Sequence, residues 1–283
     1  VKNGRIAIAA GVLLAASAIL AIRGRGAVAP HEIGFGSFDA GERPTPVKSD
    51  GCGKPAALAT TISVGGEARA FDAILPRGYD EARPYPLVLA FHGNSGHAAF
   101  QALFRLEDEI GDRAVVVYPR AVVRRVWGEH FAPHWGRVDD LPFFDALVAQ
   151  MKATLCIDER RVFAVGWSSG GYFANQLGCV RPDTIRAFAS IAGGGPEDAT
   201  CTKPVPAFFL HDENDPDVVF STGVASRDAW LGTNRCSAAA SSADGCILHT
   251  SCAAPVVWCA TSGNGHSIPP SARVAIASFL ASF

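Results

Sequence analysis

Ser168 is the side chain around which a reaction can be built. It lies in Gly166-Trp167-Ser168-Ser169-Gly170, a G-x-S-x-G pentapeptide. The apolar run Val162-Phe163-Ala164-Val165 before it reads as a buried strand, and Ala174 to Leu177 after it suits a helix. At such a corner a serine becomes a nucleophile elbow, lifted out of the sheet by a strained turn. Side chains at 166 and 170 would collide with the neighbouring strand and helix, so both positions call for glycine. The Ser169 N–H falls at the start of the helix, where donors lack intrahelical acceptors, and it can receive an oxyanion. A glycine-rich turn with an idle surface serine is the plainer alternative, and the flanking strand and helix weigh against it.

A hydroxyl attacks poorly at neutral pH unless a base takes its proton. With a nucleophile elbow the expected chain order is Ser, then Asp or Glu, then His. Three histidines follow Ser168: His211, His249 and His266. His266, in Gly263-Asn264-Gly265-His266, lies between the last strand and the last helix, where a glycine turn can swing an imidazole over the serine. His249 falls in a cysteine-rich loop, and His211 precedes every acceptable acid. The acid is sought in His211-Asp212-Glu213-Asn214-Asp215-Pro216-Asp217. Asp212 is too close to the preceding strand; Asp215 is favoured, with Asp217 second. The other oxyanion donor should come from His92-Gly93-Asn94, through the Asn94 N–H. His92 is expected to order that loop rather than titrate, and with Trp127 and Trp135 it is a candidate substrate contact. Those tryptophans lie in residues 120–139, a connection long enough to suggest a functional loop.

The elements that must position these groups alternate. Thr61–Val64 and Glu67–Leu75 read as antiparallel strands around Gly65-Gly66. Pro86–Phe91, Ala114–Tyr118, Ile185–Ile191, Val205–Leu210 and Val256–Ala260 are further strands. Helices are expected at Ala98–Ile110, Phe143–Leu155, Ser226–Leu231 and Ser271–Phe283. This pattern implies an α/β fold with a mostly parallel sheet covered on both faces. Ligands in such sheets bind beyond the carboxyl ends of the strands.

The 283 residues are 48% apolar with a net charge of −2, ample for a large core and without the basic field that nucleic acid requires. Lys2 and Arg5 precede an uninterrupted apolar or small run from Ile6 to Ile22, and Ala27-Val28-Ala29 offers a cleavage site. Residues 1–29 are therefore expected to be a signal peptide or, uncleaved, an N-terminal membrane anchor; either exports the domain. Residues 30–51 read as a Gly/Pro-rich linker, and 52–283 as the catalytic domain. Eight cysteines without a C-x-x-C pair argue for disulfides rather than a metal site. The expected pairs near His266 are Cys246–Cys252 and Cys236–Cys259.

Several short segments occur together: Cys52-Gly53-Lys54-Pro55, Phe91-His92-Gly93, Val117-Tyr118-Pro119, Asp140 with Phe143-Phe144-Asp145-Ala146-Leu147, Cys156-Ile157-Asp158, the elbow, Ala192-Gly193-Gly194-Gly195, Trp230 with Asn234, and Val257-Trp258-Cys259 leading to Gly265-His266. In this order the chain resembles the secreted esterase family that contains feruloyl esterases and polyhydroxybutyrate depolymerases. The resemblance runs from about Gly51 to the C-terminus. It implies a disulfide-stabilised α/β-hydrolase with Ser168, Asp215 and His266 as triad, acting on ester substrates without a cofactor, as a monomer. The leading substrate by resemblance is a feruloyl ester on plant polysaccharide; short-chain polyester and acetyl-xylan esters are the alternatives, as is acyl transfer to an alcohol in place of water. Outside the enzymes, the competing reading is an inactive, surface-anchored binding protein. Two positions depart from the family pattern: Asp212 replaces a glycine after His211, and Ile268 replaces an aromatic before Pro269.

Overall fold

The computed structural model describes residues 44–197, 199–243 and 245–283. The expected signal peptide or anchor lies outside them. In chain order the strands are β1 Thr61–Val64, β2 Glu67–Ile74, β3 Tyr85–Phe91, β4 Val115–Pro119, β5 Val123–Trp127, β6 His130–Pro133, β7 Ile157–Trp167, β8 Ile185–Ile191, β9 Ala207–Asp212, β10 Ser241–Ala243, β11 Cys246–His249 and β12 Val256–Thr261. The helices are α1 His97–Phe104, α2 Leu106–Ile110, α3 Leu141–Thr154, α4 Ser169–Val180, α5 Phe220–Thr233 and α6 Ser271–Ala281.

Ten strands form one sheet in the order β1-β2-β4-β3-β7-β8-β9-β12-β11-β10. From β4 to β12 the strands run parallel, and antiparallel pairs close both ends. Alternate residues of each central strand feed opposite faces, as the pleat requires. Val88, Ala90, Phe163 and Val165 meet α1, α2 and α6 on one side. Leu87, Leu89, Phe91, Val162 and Ala164 meet α3, α4 and α5 on the other. The architecture is an α/β-hydrolase fold, as the sequence leads one to expect. Among the described residues no helix is long and apolar enough to cross a membrane.

Four expectations need correction. The helix read over Ala98–Ile110 breaks at Arg105, which takes φ 36°. Phe104 and Leu106 cannot share one face of a continuous helix, and the break buries both. The Leu106 N–H then donates to the Tyr118 hydroxyl at 2.9 Å, while Leu103 turns outward and is 72% exposed. Residues 120–139 are no structureless loop, since they contain the β5–β6 hairpin. Its alternation is hard to read because arginines occupy the centre of β5.

The composition-based linker also ends earlier than expected. Lys48 forms an isolated antiparallel backbone bridge with Asp158, the Val47 N–H donates to the Asp158 carboxylate, and the Ser49 hydroxyl donates to the Leu155 carbonyl. Residues 47–51 thus lie against the domain through polar contacts that composition does not reveal. Finally, the disulfides are Cys52–Cys156, Cys179–Cys201, Cys236–Cys252 and Cys246–Cys259. The expected partners near His266 are exchanged. The antiparallel register sets Cys246 directly opposite Cys259 on β12, which leaves Cys236 to Cys252.

Candidate active site

The β7–α4 corner sets Ser168 at φ 56°, ψ −122°, a conformation that costs an L-residue of order 1–3 kcal/mol and needs enforcement by its surroundings. Close packing supplies it. A Cβ at Gly166 would overlap the Gly170 carbonyl, and one at Gly170 would overlap the Phe91 carbonyl on β3. The Ser168 N–H is fixed by the Ile191 carbonyl at 2.9 Å.

The imidazole of His266 reaches this hydroxyl from the loop between β12 and α6. Its Nε2 lies 2.9 Å from Ser168 Oγ, and its Nδ1 lies 2.8 and 3.0 Å from the two Asp215 oxygens. The Asp215 carboxylate is buried and also accepts the N–H groups of Asp217 and Val218, each at 2.9 Å. Asp217, the second candidate acid, contributes only that N–H to the chain of contacts. Asp212 serves neighbouring backbone instead. It accepts hydrogen bonds from the Asn264 and Asn214 N–H groups and the Thr261 hydroxyl. Burial pushes its carboxyl up, but these donors outweigh burial and hold it below the usual range. Asp212 therefore ties the loop bearing Asp215 to the loop bearing His266.

The Asn94 and Ser169 N–H groups border the same cleft. Ser169 opens α4, and the Asn94 N–H has no protein acceptor among the described residues. Gly93 packs so closely on Trp167 and Ser168 that a Cβ there would touch both. The Asn94 side chain is steadied by His134, whose Nδ1 lies 2.9 Å from Asn94 Oδ1. Burial and the charges of Arg137 and Arg124 lower the His134 pKa, so its neutral ring donates through Nδ1.

His92 stands behind this loop and does not line the cleft, contrary to its candidacy as a substrate contact. It is buried, its Nε2 accepts the Ala121 N–H at 3.0 Å, and its Nδ1 bonds the Gly93 carbonyl at 2.6 Å. Burial pushes its pKa down to about 4. Trp135 borders the cleft but is almost wholly buried, stacked on Phe173 with its indole N–H donated to the His92 carbonyl. Trp127 is the exposed wall, stacked on His130.

The cleft has a volume of about 710 Å³. His134, one of the aromatic residues of the 120–139 connection, also lines it, as do Arg137, Trp167 and Tyr172, none of which sequence reasoning assigned to a substrate wall. Tyr172 was the most accessible of these: it follows Ser168 by one helical turn and so shares its face. Arg137 lies over the Tyr172 ring and pairs with Glu197. Among the described residues no cluster of His, Cys, Asp and Glu could hold a metal ion.

No family model matches the chain. Feruloyl esterase C of Emericella nidulans is 28% identical over 229 residues, covering 75% of this chain and 77% of its own. Feruloyl esterase D of Neurospora crassa is 26% identical over 208 residues, 66% of this chain and 69% of its own. By sequence the chain is therefore similar to feruloyl esterases over most of its length. Among solved structures, a ferulic acid esterase from Anaeromyces mucronatus superposes with a TM-score of 0.58 at 15% identity, covering 88% of this chain and 97% of that one. An acetyl xylan esterase from Aspergillus awamori gives 0.56 at 12% identity, covering 75% and 93%. At these identities the superpositions establish the α/β-hydrolase fold alone.

Proposed function

We propose that this protein is an exported serine carboxylic-ester hydrolase acting on hydroxycinnamoyl esters of plant polysaccharide, with feruloyl esters foremost. The observation behind this reading is the hydrogen-bonded chain Ser168–His266–Asp215 at the floor of an aromatic-lined cleft. Four disulfides fit an oxidising compartment.

In the proposed reaction Ser168 Oγ attacks the ester carbonyl while His266 Nε2 takes its proton. Asp215 fixes the imidazole tautomer and stabilises the imidazolium. The N–H groups of Asn94 and Ser169 receive the oxyanion. His266 then protonates the departing alcohol, and water repeats the sequence on the acyl-enzyme. The neutral His134 and the ring of Tyr172 suit a planar, hydroxylated acyl group.

The test is a substrate panel of methyl ferulate, acetylated xylan and 3-hydroxybutyrate oligomers compared by kcat/KM, with Ser168→Ala alongside. Methyl ferulate should lead, and Ser168→Ala should lower kcat by roughly 10⁴-fold or more with the fold intact. A lead for either of the other substrates replaces the feruloyl reading. Absence of fluorophosphonate labelling at Ser168 removes the hydrolase reading altogether.

A further inference from the structure

A second groove, of about 490 Å³, lies between the C-terminal half of α1 and the start of α6. It shares Trp167 and His266 with the cleft, and its other walls include Leu103, Ile268, Pro269 and Pro270, with Ser267 among them and Arg105 and Arg273 at the edge. Resting on the hydrolase reading, we propose that this groove seats the alcohol half of the ester, held by its C–H surface.

Direction comes from proton transfer. In a tetrahedral adduct on Ser168 the oxyanion points at the Asn94 and Ser169 N–H groups. The alkoxy oxygen must face His266 Nε2, which protonates it as it leaves. The acyl group takes the remaining direction, into the cleft beside Ser169 and Tyr172. What departs past His266 meets the second groove, because that histidine forms the border between the two.

The chemistry of the lining decides how the alcohol is held. Leu103 is a large apolar side chain left 72% exposed on α1, whose buried residues are Phe100 and Phe104. Ile268, from the segment that leads into α6, adds a second aliphatic wall. Two cations stand at the rim, and both already have anionic partners: Arg105 with Asp108 at 2.6 Å and Arg273 with Glu109 at 3.6 Å. The groove therefore offers apolar contact without an unpaired charge. An alcohol that presents an aliphatic chain or the C–H face of a ring gains by entering it.

The experiment compares methyl and butyl esters of both acetic and ferulic acid, on the wild type and on Leu103→Ser and Ile268→Ser. In the wild type the butyl ester should exceed the methyl ester in kcat/KM by roughly five- to tenfold, since a half-open groove covers the added methylenes only in part. The advantage should appear with both acids and shrink toward one in each variant, with thermal midpoints near that of the wild type for the exposed Leu103→Ser. Turnover without a butyl advantage, or an advantage that survives both substitutions, overturns the groove alone. Failure to turn over any of the esters overturns the hydrolase reading and the groove with it.

Discussion

Asp215 does two things at once: it faces the Nδ1 of His266, and it gathers the N–H groups of its own loop. An amide there keeps the shape but can hold the ring in the wrong tautomer. Asp215→Asn should lower kcat by about 10⁴-fold, whereas Asp217→Asn should leave it within a few-fold; steady-state rates on methyl ferulate distinguish the two. His92 carries a different consequence. Burial keeps its folded-state pKa near 4, while an unfolded histidine titrates near 6.5. The unfolded chain thus binds a proton at 92 that the folded chain refuses. The stability His92 contributes is complete above pH 6.5 and is lost as the pH falls through 4, by up to roughly 3 kcal/mol. Urea midpoints measured from pH 7 to 4.5 should fall less steeply in His92→Gln, a residue able to accept the Ala121 N–H without charging.

At the scale of elements, the β5–β6 hairpin that bears Trp127 is tied to the body of the domain by the buried Asp140 carboxylate. Asp140, fully buried, pairs with Arg69 at 2.7 Å and Arg124 at 3.0 Å and accepts the Gly136 N–H at 2.7 Å. Removing one member of a buried ionic cluster strands the others. Asp140→Ala should cost about 3–5 kcal/mol in a denaturant titration and raise KM for bulky acyl groups more than for acetate. Such an anchor also shows where sequence reading stops. The elbow was legible because its strand, glycines and helix are consecutive. Asp215 and His266 were legible because chain order and flanking strand ends narrow the choice. The break at Arg105 depends on the Tyr118 hydroxyl, and the hairpin's own Arg124 depends on Asp140, which also pairs with the distant Arg69. No local pattern announces either. The cysteine partners followed strand register, which spacing along the chain does not encode.

For the molecule as a whole, the bridge between Cys52 and Cys156 spans a sequence separation of 104 and clamps the start of the domain onto the foot of β7. Closing so long a loop in the unfolded chain is worth about 4–5 kcal/mol in the chain-entropy description. The Cys52→Ser/Cys156→Ser double variant should lose most of that in guanidinium unfolding, while its catalytic rate at low temperature stays close to normal, because the triad sits at the other end of β7. The sheet finishes, beyond β11, in β10, which has only three residues and begins with two serines. An outermost ladder so brief and so rich in hydroxyls gives a stray chain little to zip onto. On this side, then, the parallel interior is flanked by an edge that offers a neighbouring molecule few unpaired backbone groups.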